Sequence, residues 1–127
     1  MQHPPDRSAP EVIVHGISNC DSVKRARGWL DDNRVAYRFH DFKKHGVHAD
    51  DLANWMADVG WERLLNRQGT TWRKLDDGTR DAVQDAASAA ELMKSQPSVI
   101  KRPVVRWHDG ELTVGFDPSL FAHRAAA

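Results

Sequence analysis

The sequence predicts an α/β fold with a mixed four-stranded sheet, and three observations predict it. A β-branched block, Val12-Ile13-Val14, precedes an amphipathic helical pattern, and an alternating run follows, so the chain opens as β-α-β. In the middle, apolar residues recur at i, i+3, i+4 and i+7, the period of helices packed on one face. Near the end, two short apolar runs flank His108-Asp109-Gly110, and Asp-Gly between apolar runs signals a hairpin.

Each element has its own local cause. Residues 1–10 hold three of the six prolines and no apolar period, so they are expected to be a flexible lead-in to one domain over residues 11–122. Strand one stops at Gly16. Helix one is expected over about residues 21–32, with Val23, Ala26 and Leu30 on one face, Asp21 at its positive end and Asn33 as its stop. Strand two is expected over Val35 to His40, followed by a polar loop from Asp41 to His48. Leu52, Trp55, Met56 and Val59 predict a helix that Gly60 closes; Trp61, Leu64 and Leu65 start a shorter one. A later helix is expected to carry Ala82, Ala86, Ala89 and Met93 and to end before Pro97. After Pro103, Val104 to Trp107 and Leu112 to Phe116 are expected to pair antiparallel, and Asp117-Pro118 to start a last helix, aspartate as cap and proline at the first helical position.

Composition narrows the function. At 127 residues and 40% hydrophobic content the chain has material for one core. Lysine plus arginine (18) equal aspartate plus glutamate (18), so no net positive field exists to hold nucleic acid or an anionic membrane nonspecifically. No run approaches the roughly 20 apolar residues of a membrane helix, and the opening residues lack the apolar core of a signal peptide; a cytoplasmic protein is expected. One cysteine can make neither an intramolecular disulfide nor a cysteine-rich zinc site, so redox chemistry here needs an outside thiol.

That cysteine, Cys20, falls between strand one and helix one. Unpaired N–H groups and the helix dipole at such a position favour negative charge, which lowers a thiol's pKa and raises its nucleophilicity. Its neighbours Asn19, Asp21 and Ser22 are polar, unlike those of a packing cysteine, although Asp21 opposes thiolate formation. A thiolate that handles an oxyanion or glutathione also needs cationic donors. Arg102, before Pro103 where a cis bond would bring backbone groups to the site, and Arg67, after Leu64-Leu65, are the arginines singled out. His40, His45 and His48 lack a regular ligand spacing, so no metal is expected. Gly69-Thr70-Thr71-Trp72 suggests a phosphate-cradling loop but lacks P-loop spacing. The five tryptophans are expected to pack.

Five segments together resemble the ArsC/Spx family of thioredoxin-fold proteins, most closely its YffB-like branch. They are Gly16-Ile17-Ser18-Asn19-Cys20-Asp21-Ser22-Val23-Lys24, Tyr37 to Asp41, Leu64-Leu65-Asn66-Arg67, Gly69 to Arg73, and Ile100-Lys101-Arg102-Pro103-Val104, within a match over roughly residues 11–120. The resemblance implies a thioredoxin-like sheet with a helical insertion. It implies that Cys20 is the nucleophile, that Asn19, Arg67, Arg102 and a cis Pro103 bind an oxyanion or glutathione, and that glutathione acts as co-substrate with no tightly bound cofactor. In the arsenate reductases of the family the cysteine attacks arsenate, glutathione attacks the adduct, and glutaredoxin restores the thiol. Two of their features differ here: the third oxyanion arginine would fall near Val114-Gly115-Phe116, where none stands, and Gly16 replaces a histidine. A YffB-like protein is expected instead to be a glutathione-dependent thiol-disulfide oxidoreductase. The alternatives are arsenate reduction and an Spx-like regulator that binds the RNA polymerase α subunit. For the latter, Val23 stands where the second cysteine of a Cys-x-x-Cys switch would be.

Overall fold

A computed structural model describes residues 11–126 of the chain, and the expected lead-in over residues 1–10 lies outside them. The elements run β1 (Val12–Gly16), α1 (Asp21–Asp32), β2 (Tyr37–Asp41), α2 (Phe42–His45), α3 (Ala49–Val59), α4 (Trp61–Leu64), α5 (Thr70–Lys74), α6 (Asp77–Asp81), α7 (Ala86–Ser95), a 3-10 turn (Pro97–Val99), β3 (Val104–Arg106), β4 (Leu112–Val114) and α8 (Pro118–Ala126). They fall into two compact units. A sheet unit takes the described chain through His40 and again from Arg102; a helical unit takes Asp41–Lys101.

In the sheet unit the strands lie in the order β2-β1-β3-β4, a mixed sheet as the sequence predicts. β3 pairs antiparallel with β1, in the register Ile13↔Arg106, Val14↔Val105 and His15↔Val104, and antiparallel with β4. Val12 and Val14, two apart on β1, share a face with Val105, and Ala26 and Leu30, four apart on α1, pack onto it together with Trp107 and Phe121. Phe121 is the hub. Trp107, Phe116 and Trp29 meet it edge-on at 4.9, 4.9 and 5.7 Å. The buried Trp107 indole donates to Thr113 Oγ1 at 2.9 Å, which satisfies its one polar atom.

The end of α1 corrects the start of strand two. Arg34 adopts the left-handed conformation (φ 57°), its N–H bonds Asp31 O at 3.1 Å, and the Val35 N–H bonds Leu30 O at 2.9 Å, a Schellman closure. Val35 therefore completes the helix stop, its side chain against the core, and β2 begins at Tyr37. At the other end of the unit α8 starts at Pro118 as expected, with Asp117 Oδ1 accepting from the Ser119 N–H at 3.0 Å.

In the helical unit α3 buries Leu52 and Trp55 and stops at Gly60, whose φ of 85° suits a residue without a Cβ. The expected polar loop after Asp41 contains α2, because Asp41 Oδ1 accepts from the Lys43 and Lys44 N–H groups at 2.9 and 3.1 Å. The later helix is two helices. Asp76 caps α6, Ala82 ends it, and Asp85 with Ser88 forms a capping box that restarts the chain as α7. Gly69 to Trp72 forms the cap and first turn of α5 and not an open loop. The chain after α4 then pairs antiparallel with the chain after the 3-10 turn: Leu65 bridges Ile100, the Asn66 N–H bonds Val99 O at 2.8 Å, and the Lys101 N–H bonds Leu64 O at 2.7 Å.

Thr113→Val keeps the shape beside Trp107 but leaves the buried indole N–H without its acceptor. Chemical denaturation should show a loss of about 1–3 kcal/mol in unfolding free energy, the cost of an unsatisfied buried donor.

Candidate active site

Antiparallel pairing of β1 with β3 sets the position of the cysteine. Because His15 faces Val104, the chain leaving β1 and the chain entering β3 lie at the same end of the sheet, which brings the Cys20 loop beside Arg102-Pro103. Gly16 makes the turn tight: a Cβ there would sit 2.7 Å from Val23 Cγ2 and 3.6 Å from the Phe39 ring. Chain and helix can approach this closely only at glycine.

Cys20 is the N-cap residue of α1, extended at φ −141° and ψ 126°, and its carbonyl accepts the first helical bond from the Lys24 N–H at 2.9 Å. The sulfur is half-buried and makes no regular capping bond. Burial by itself pushes the thiol pKa up. The Arg102 guanidinium, as donor and as charge, together with the Val23 and Ser22 N–H groups pointing toward the sulfur, outweighs that burial, and the net shift is downward. Arg102 thus touches the reacting atom itself. The Arg102–Pro103 peptide is cis, Pro103 is buried, and its carbonyl accepts from the Gly115 N–H at 2.8 Å.

The sheet unit accordingly brings Asn19, Cys20, Arg102 and Pro103 together. Asn19 is exposed, and its Oδ1 lies 3.5 Å from Lys24 Nζ. Arg67 belongs to the helical unit, where it follows the Leu65–Ile100 bridge and holds its guanidinium 5.3 Å over the Trp61 ring, exposed. His15 is buried in β1 with its ring edge-on to His40 at 5.6 Å, whereas a side chain at position 16 would overpack against Val23. Near Phe116 a cation does stand, though not from the hairpin: the Arg25 guanidinium of α1 lies 5.4 Å over that ring. Sequence reasoning passed over Lys24 and Arg25. Their signal was a place in the second turn of the helix that Cys20 caps.

The ArsC family model matches residues 15–123. The chain belongs to the ArsC family. A solved structure of the protein YffB is 47% identical, covers 90% of this chain and 98% of its own, and superposes with a TM-score of 0.84. An arsenate reductase (ArsC) related protein from Brucella melitensis is 50% identical, with coverages of 91% and 94% and a TM-score of 0.71. The global transcriptional regulator Spx of Streptococcus mutans is 22% identical over 101 residues, 78% of this chain and 72% of that one. With these neighbours and its sheet order, the ArsC-family chain has the thioredoxin-like α/β fold expected of it. Among its described residues no helix is long and apolar enough to cross a membrane.

Two substitutions test this geometry. Because alkylation rate follows the thiolate fraction, the pH at half-maximal iodoacetamide reactivity should be lower for folded Cys20 than for the unfolded chain; Arg102→Gln should move it up, since burial then acts with fewer opposing donors. Gly16→Ala should lower unfolding free energy by about 1–3 kcal/mol in denaturant titrations, the usual cost of overpacking.

Proposed function

We propose that this ArsC-family protein is a glutathione-dependent thiol-disulfide oxidoreductase with Cys20 as its nucleophile. The observation that carries the reading is a half-buried thiol held toward thiolate by Arg102 and the head of α1. Family membership and the arsenate reductase-related neighbour support redox chemistry of this kind. The Cys20 thiolate attacks one sulfur of a protein–glutathione disulfide; the new S–S bond joins Cys20 to glutathione, and the protein leaves as thiolate with the electron pair. A second glutathione thiolate then attacks the glutathione sulfur of that adduct. Oxidised glutathione forms, and Cys20 departs as thiolate. The cycle needs no second cysteine, which fits a chain that has one, and it needs a glutathione-rich compartment, which fits the cytoplasm.

Asn19 and the cis Pro103 edge are the groups of the sheet unit suited to the peptide part of glutathione, and Arg67 keeps, on the family resemblance alone, the role of holding a carboxylate. Arsenate reduction is the weaker enzymatic reading, because a side chain at position 16 would press on Val23, whose Cγ2 lies 2.7 Å from where that side chain's Cβ would stand. The Spx relative favours a different class, a regulator that contacts the RNA polymerase α subunit. Val23, fully buried, would give such a protein no Cys-x-x-Cys switch.

Cys20→Ser should reduce turnover of a glutathionylated peptide to the uncatalysed rate in a coupled glutathione reductase assay, while the parent protein shows saturable activity. Equal activity of the two proteins sinks the reductase reading. Titration calorimetry against the polymerase α C-terminal domain decides the regulator: binding that survives Cys20→Ser, with no peptide turnover by the parent, would move the assignment there.

A further inference from the structure

Two exposed cations, Lys24 and Arg25, lie on the helix that Cys20 caps and have no acidic partner among the described residues. Lys24 lies one turn beyond Cys20 on the same side of the helix, and its Nζ turns back to Asn19 Oδ1 at 3.5 Å, next to the sulfur-bearing residue. The Arg25 guanidinium lies over Phe116, 5.4 Å from the ring centroid. Phe116 is itself fixed edge-on to Phe121 at 4.9 Å, and the residue before it, Gly115, bonds Pro103, which adjoins the Arg102 that touches the sulfur. The guanidinium is thereby anchored on the hairpin, at the residue after the Gly115 that bonds Pro103, and the ammonium on Asn19, the residue before Cys20. Asp21, three and four residues before them, and Asp117, the neighbour of Phe116, form no ion pair with either cation among the described residues; Asp117 Oδ1 instead accepts from the Ser119 N–H at 3.0 Å.

We propose that Lys24 and Arg25 are specificity-determining residues that select anionic thiols and disulfides for Cys20, each taking a substrate carboxylate on one side of the sulfur. The proposal rests on the reading of Cys20 as the reacting group and names what that group accepts: a substrate with carboxylates flanking its sulfur. Arg102, Val23 and Ser22 are the donors that act on the thiol itself. Lys24 and Arg25 therefore act on the incoming molecule, not on the nucleophile.

The test separates charge selection from thiol reactivity. Single-turnover rates of Cys20 are measured with a dianionic bis(carboxynitrophenyl) disulfide and an uncharged dipyridyl disulfide. In each case the Cys20 thiolate forms a mixed disulfide and expels one aryl thiolate. The ratio of the two rates, normalised to that of mercaptoethanol, should favour the anionic probe. At low ionic strength it should fall about three- to tenfold in the Lys24→Gln/Arg25→Gln double variant, and the preference should shrink as salt is added, as for exposed charges in water. Arg25→Lys should retain most of the preference, and the uncharged probe should react alike with all variants. Arg38→Gln, at a charge paired with Glu11 at 3.0 Å, supplies the net-charge control and should leave the ratio unchanged. An unchanged ratio in the double variant, an equal fall in Arg38→Gln, or an equal loss with both probes overturns the proposal. If the ratio falls as expected while glutathionylated peptides are not turned over, charge selection stands and the reductase reading alone fails.

Discussion

The site depends on the antiparallel pairing of β1 with β3. A parallel neighbour of β1 would enter the sheet at the far end from Cys20, whereas an antiparallel one must enter beside it. The register His15↔Val104 fixes the distance along the strands and sets Arg102, two residues before β3, against a sulfur four residues after β1. The core beneath holds that register: Val14 and Val105 share a face covered by Ala26 and Leu30, so a slip of one residue would turn the wrong side chains inward.

Once the sulfur is there, its chemistry is a contest between opposed terms. Partial burial favours the neutral thiol and would by itself make Cys20 a poorer nucleophile. Arg102 and the first N–H groups of α1 reverse the outcome because they are donors held in place by the fold before charge appears. Pro103, after the cis peptide, is buried, and Arg102 before it is half-buried beside the sulfur.

Much of this was legible in the chain. The β-α-β opening, the hairpin at Asp109-Gly110 and the bounds of α1 follow from periodicity and turn chemistry, and Cys20 could be placed at the helix head because strand and helix patterns flank it closely. What escaped was set by capping and by tertiary contact. Asp41, Asp76 and Asp85 each start a short helix within segments too polar to show an apolar period, so α2 and the break between α6 and α7 were hidden. Arg102 could be named from its proline, but its hold on the sulfur depends on strand register. Lys24 closes a resemblance segment without a role attached to it, and Arg25 lies outside all five; the Asn19 amide and the Phe116 ring that fix them show only in the fold.

The contact between Gly16 and Val23 ties together two positions at which members of a family can diverge. With Val23 Cγ2 only 2.7 Å from where a Cβ would stand, a side chain at residue 16 carries an overpacking cost that the loss of a branch at residue 23 would relieve. A cysteine at 23, having one γ atom in place of two, would remove a branch and also supply the second thiol of a switch. The two positions are thereby coupled: from this sequence, the less costly route to a side chain at 16 passes through position 23, and a lineage that keeps valine there has reason to keep the glycine as well.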